Sequence, residues 1–205
     1  MMQLQKLTDD PCNLCSRECG ARRQQGETGY CVSQSRPVVA RAALHMWEEP
    51  CISGEAGSGA VFFAGCSLRC IYCQNFELAR GRKGFAAGEA GRGISVERLK
   101  EIFLELQAQG AHNINLVTPD HFTLAVIPAV RMARERGLML PVIYNCSGYE
   151  KEELIESLRG TVDIFLVDFK YMEEELARKF FCTGLSGDSE EGTCQNAQSD
   201  RRTGI

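Results

Sequence analysis

Three cysteines within eight residues set out the chemistry this chain can perform. Cys66, Cys70 and Cys73 follow one another as C-x3-C-x2-C in Gly65-Cys66-Ser67-Leu68-Arg69-Cys70-Ile71-Tyr72-Cys73-Gln74-Asn75. Thiolates at that spacing can each hold one iron of a cubane iron–sulfur cluster. Such a cluster ordinarily takes four cysteines, so three leave one iron without a protein ligand, and an open metal position is where chemistry happens. A structural zinc fits less well, because it wants a fourth ligand nearby. Three buried structural cysteines are the remaining alternative, which the spacing and the position directly after a strand disfavour.

A second group, Cys12, Cys15, Cys19 and Cys31, reads C-x2-C-x3-C-x11-C. Structural zinc and a second iron–sulfur cluster would each be satisfied by four such ligands, and a metal-free segment stays open. An auxiliary cluster could relay electrons, whereas zinc could only fold the segment. The surrounding residues are rich in Gly, Arg and Gln, with little apolar material to fold around, so a metal would be needed to order them. Cys51, Cys146, Cys182 and Cys194 have no partners at ligand spacing, and Cys51 and Cys146 read as small packing residues. His45 and Trp47 read as core or interface packing.

The chain has 205 residues, 23 basic and 27 acidic side chains and a net charge of −4. That balance gives no electrostatic footprint for nucleic acid or an anionic membrane. No apolar run approaches the roughly 20 residues of a membrane span. The opening MMQLQKLTDDPC lacks the apolar core of a signal peptide, so a cytoplasmic location is expected. Thiols there stay reduced, and an odd count of 11 cysteines argues for metal or cluster binding over a disulfide framework.

These ligands need a scaffold, and the central part alternates strand and helix. A short strand is expected at 37–44. Val61-Phe62-Phe63-Ala64 is a buried-type strand running into the cysteine loop. Ser95 caps a helix to Gln109 with Val96, Leu99, Phe103 and Leu106 on one stripe. Strands follow at 113–118, 141–146 and 163–170, and helices at 122–136, 150–159 and 173–181. The helix within 122–136 is expected to be kinked or to start late because of Pro128. The fold class is therefore α/β, with a parallel sheet either open or curled into a barrel. Residues 1–50 form a Cys-rich amino-terminal segment, 51–181 the strand–helix domain, and 182–205 a polar tail without periodicity that is expected to be disordered.

A parallel α/β barrel builds its site at the carboxyl ends of its strands. Here those ends are polar: the cysteine loop, then Thr118-Pro119-Asp120-His121, then Asn145-Cys146-Ser147, then Asp168-Phe169-Lys170. Period-two alternation puts Asp168 and Lys170 on one face, and Asn145 and Ser147 likewise. An Asp and a Lys at a strand end can bind a zwitterion or ribose hydroxyls, or form a structural ion pair. His121 reads as a loop or capping histidine, with proton donor or ligand as the minority reading.

The cysteine loop, with Tyr72 as the aromatic before the third cysteine, resembles the signature of radical S-adenosylmethionine enzymes. HMWEEPCISG, GSGAVFFAGC, YCQNFELA, NINLVTPDHF, LPVIYNCSGYE and DIFLVDFKYM are similar to the group related to pyruvate formate-lyase activating enzyme, over about residues 12–180. The resemblance implies a partial (β/α) barrel and a [4Fe–4S] cluster on Cys66, Cys70 and Cys73. It implies that the open iron chelates S-adenosylmethionine, whose reductive cleavage yields a 5′-deoxyadenosyl radical that abstracts hydrogen. Tyr72, Asn75, Thr118, Asn145, Ser147, Asp168 and Lys170 are the implied cofactor contacts. The implied partners are a glycyl-radical enzyme as substrate and a flavodoxin- or ferredoxin-type electron donor. Many members carry Gly-Gly-Glu where this chain has Thr118-Pro119-Asp120, which puts contacts to the substrate amine in doubt. Such barrels have about six strand–helix units, and four are visible, so the chain reads as truncated at its carboxyl end. Alternatives to the enzyme are a non-catalytic iron–sulfur or zinc-binding module and a two-cluster redox carrier.

Overall fold

A computed structural model describes residues 6–80, 90–168, 170 and 175–176. The expected helix at 173–181, apart from Glu175 and Leu176, and the expected tail at 182–205 lie outside the described residues. The structure is a mixed α/β fold on one six-stranded sheet. In chain order the strands are β1 (Val38–His45), β2 (Ser58–Phe63), β3 (Arg92–Gly93), β4 (Ile114–Val117), β5 (Val142–Cys146) and β6 (Ile164–Val167). Their order across the sheet is β3-β1-β2-β4-β5-β6. β1 runs antiparallel to both β2 and β3, while β2, β4, β5 and β6 are parallel.

The helices are α1 (Pro50–Ser53), α2 (Phe76–Arg80), α3 (Val96–Ala108), α4 (Thr123–Glu135) and α5 (Glu152–Ser157). Ser95 caps α3 as its sequence requires, its hydroxyl accepting from the Arg98 amide at 3.2 Å. Leu99, Ile102, Phe103 and Leu106 of α3 are buried against Val61, Phe63, Ile114 and Leu116 of the sheet and Val126 and Val130 of α4. The helix after β4 does not start late. It begins at Thr123, five residues before Pro128, and continues through it. Pro128 removes one backbone bond, but the Thr123 hydroxyl donates to the Asp120 carbonyl at 2.9 Å and Val126, Ile127, Ala129, Val130 and Ala133 hold the helix by burial.

The described amino-terminal residues wrap one end of this sheet, with a 3-10 turn at Arg23–Gln25 and an isolated β-bridge between Asp9 and Cys12. Leu7, Cys12 and Leu14 are buried with Ile127, Tyr144, Leu154 and Leu158. Cys146 packs in the same cluster, as expected. Cys51 does not: it is exposed, because α1 is a single turn lying at the surface. Trp47 is 88% exposed and so is no core residue, while His45 meets the Phe62 ring edge-on. Among the described residues no helix is long and apolar enough to cross a membrane.

Candidate functional site

The three signature cysteines leave the carboxyl end of β2 on a tight loop. Gly65, with φ +90, turns the chain out of the strand, and a Cβ there would lie 2.3 Å from the Ser33 hydroxyl and 2.4 Å from the Cys31 carbonyl. Arg69 adopts a left-handed backbone (φ 55), which folds the loop so that Cys66, Cys70 and Cys73 pack together around buried Leu68, with Tyr149 beside them. Arg80 of α2 donates to the Arg69 carbonyl, and the Gly65 amide donates to the Leu78 carbonyl at 2.7 Å. Burial, and then the nearby Asp120 carboxylate, push the Cys66 thiol up to about 12. Burial also raises Cys70, against the lowering charge of Lys170 and a hydrogen bond from Tyr72. Metal-free, these thiols hold their protons, and metal binding would displace them.

The ends of the other parallel strands are stitched beside this loop. The Thr118 amide donates to the Asn145 carbonyl at 3.0 Å, and the Asp168 amide donates to the Cys146 carbonyl at 2.8 Å. Lys170 and Asp168 form an ion pair, and the lysine charge acts on Cys70. Thr118 has φ 55, a strained conformation for a β-branched residue of the kind found at ligand sites. The Ser147 amide donates to Glu150 at 3.4 Å. Tyr72 is 39% exposed at the loop rim. Asn75 is exposed and its carbonyl accepts from the Leu78 and Ala79 amides at the start of α2. The structure thus gathers Cys66, Cys70, Cys73, Tyr72, Asp168 and Lys170, with Thr118, Asn145 and Ser147 on adjoining strand ends.

Three buried polar residues exceed what the sequence indicated. Asp120 and His121, in a 3-10 turn after β4, are each 2% exposed, so the loop histidine is a buried one. Its Nε2 lies 2.9 Å from the Ala64 carbonyl, which can only accept, so Nε2 carries a proton. Nδ1 faces Asp120 at 3.7 Å. Burial raises the Asp120 carboxyl, but His121 and the Ser67 hydroxyl outweigh it and hold the group below its ordinary value. Asn115, on the sheet face opposite α3 and α4, is fully buried and neither side-chain amide atom has a hydrogen-bond partner. An amide amid apolar strand neighbours is readable in sequence, but its isolation depends on packing across the sheet.

The four amino-terminal cysteines also come together. The Cys12 thiol beside Cys19 lowers the Cys19 pKa, while Cys19 and then burial raise that of Cys12. Burial, then Asp120, raises Cys15 to about 12, and burial raises Cys31. Among the described residues no group of three or more His, Cys, Asp or Glu side chains stands at metal-binding spacing, here or at the signature loop.

Residues 60–187 match the Radical SAM superfamily. This chain belongs to that superfamily. It is also 24% identical, over 169 residues, to an uncharacterized protein of Methanocaldococcus jannaschii, an alignment covering 82% of this chain and 48% of that protein. The chain therefore spans about half the length of the curated relative it matches. No solved structure matches it. The superfamily implies a [4Fe–4S] cluster and S-adenosylmethionine. The donor set at the loop fits them: three thiols packed together with a cation at hand, and an adjoining row of polar strand ends.

Proposed function

We propose that this chain is a radical S-adenosylmethionine enzyme of the partial-barrel type, in which Cys66, Cys70 and Cys73 hold a [4Fe–4S] cluster. The observation that carries this reading is the packing of those three thiols at the carboxyl end of β2, with Lys170 brought to Cys70 from the end of β6. When bound and reduced, a cluster there would supply one-electron chemistry for reductive cleavage of S-adenosylmethionine and hydrogen abstraction from substrate. The chain's own groups bind and orient. Asp168 and Lys170 present opposite charges to the zwitterionic methionine end or the ribose hydroxyls. Thr118, Asn145 and Ser147 offer hydroxyl and amide contacts along the neighbouring strand ends, and Tyr72 closes the rim. Ala60, Asn115 and Ile143, in register on adjacent strands and fully buried, exclude water from the sheet face beneath.

From the motif resemblance alone we further propose a glycine Cα of a partner glycyl-radical enzyme as hydrogen donor, and a flavodoxin or ferredoxin as electron donor. The test is anaerobic loading with iron and sulfide, addition of S-adenosylmethionine and dithionite, and measurement of 5′-deoxyadenosine. Production that Cys70→Ala abolishes is the expected result. A fully formed cluster that never cleaves S-adenosylmethionine under reducing conditions would instead make the chain a cluster-binding module.

A further inference from the structure

The amino-terminal segment buries a charge that its protein neighbours do not neutralise. Arg23 is 1% exposed. Its guanidinium donates to the Ser33 carbonyl at 3.1 Å, to the Gln34 carbonyl at 2.6 Å and toward the Cys12 sulfur at 3.7 Å. None of the ion pairs among the described residues includes it. A guanidinium taken out of water without an anion is costly, so the anion has to come from the sulfurs it faces.

Backbone bonds fold the ligands toward Arg23: the Cys12 amide donates to the Ala21 carbonyl at 2.9 Å and the Gly20 amide to the Cys12 carbonyl at 3.0 Å, and the Ser33 carbonyl that accepts from Arg23 also accepts from the Cys31 thiol at 4.0 Å. A Cβ on Gly29 would lie 3.3 Å from the Cys19 sulfur and 3.5 Å from the Cys31 sulfur, so the missing side chain leaves room between them. Glu18 and Val32, adjoining Cys19 and Cys31, both have left-handed backbones, φ 43 and 54. That conformation is costly for a β-branched residue and is retained only where the surroundings impose it.

We propose that Cys12, Cys15, Cys19 and Cys31 form a second metal centre of four thiolates, with Arg23 as its buried counter-charge. Four thiolates around a divalent zinc, or around an iron–sulfur cluster, leave a net negative charge, and both suit this donor set. The superfamily match begins at residue 60, after all four ligands, so the site stands apart from the proposed catalysis. The centre braces the signature loop. Arg17 donates to the Ser67 carbonyl at 2.9 Å, Arg69 to the Tyr30 carbonyl at 3.4 Å, and the Ser33 hydroxyl to the Ala64 carbonyl at 3.3 Å.

The test uses the full chain carrying Cys66→Ser, Cys70→Ser and Cys73→Ser, which disables the first centre without touching this one. It is loaded anaerobically with zinc alone, or with ferrous iron and sulfide, then desalted. The proposal expects about one zinc or about four irons with matching sulfide per chain. Adding Cys12→Ser and Cys31→Ser should lower retained metal at least fivefold. Cobalt(II) titration of the triple variant should give sulfur-to-cobalt charge-transfer bands, and Arg23→Met should weaken retention while all four thiols remain. The iron arm identifies a cluster and the zinc arm a structural ion. A folded triple variant that holds no metal in either arm overturns the proposal. So does unmodified chain, fully loaded, holding no metal beyond the first centre's quota of about four irons.

Discussion

At the scale of single residues, burial sets the protonation of the proposed ligands. Cys66 titrates at about 12 and Cys70 is also raised, yet the thiolate is the ligand, so each bound thiol releases a proton. Cluster loading at limiting iron should therefore become at least about tenfold more favourable between neutral pH and about pH 8.5, read as visible charge-transfer absorbance. Glu150 follows the opposite carboxylate logic. Burial, and then the Asp120 charge, raise its pKa, so the folded state prefers it protonated. Its contribution to stability is present below the unfolded carboxyl value and is lost as pH rises through the folded one. Glu150→Gln should then raise the melting temperature at neutral pH and flatten the loss of stability between mildly acidic and neutral conditions. Asn115 presents two unsatisfied buried amide atoms. Asn115→Leu should stabilise the fold by about 1–2 kcal/mol, read in thermal melts.

At the scale of elements, α3 and the amino-terminal wrap behave differently. The Ser95 cap is local, and Ser95→Ala should cost about 1 kcal/mol, visible as a fall of about 2–4 °C in thermal melts. The wrap depends on long-range contacts. Arg17 lies 3.9 Å over the Tyr30 ring and reaches Ser67 across the chain. Arg17→Ala should increase cleavage within residues 6–37 in limited proteolysis without unfolding the sheet. The same contrast explains what was legible in sequence. β2, β4, β5 and β6 are apolar runs bounded by Gly, Pro or polar residues, and α3 has a cap and a stripe. The signature cysteines are legible because one loop carries all three. Two-residue β3 has no periodicity to read. The interment of Asp120 and His121 was hidden because it arises from Ser33, Cys31 and Ser67 folding over a strand end. Cys51 was misread because residue type alone says nothing of where a one-turn helix sits.

At the scale of the whole molecule, β6 is an edge of the sheet among the described residues. Ile164, Phe165 and Val167 of β6 are 41%, 41% and 47% exposed, and among the described residues no strand pairs beyond β6. An apolar edge strand is a template for pairing with another chain. This 205-residue chain should associate in a concentration-dependent way, and Val167→Lys should reduce its light scattering at least about twofold by placing a charge on that edge.

The close approach at Gly65 has a bearing on life outside a glove box. Because the Cys31 carbonyl and the Ser33 hydroxyl press against the residue preceding Cys66, the wrap roofs one flank of the sulfur nest. Stripping the first three dozen residues would open that flank to dissolved dioxygen, and bleaching in air would outpace that of the intact chain.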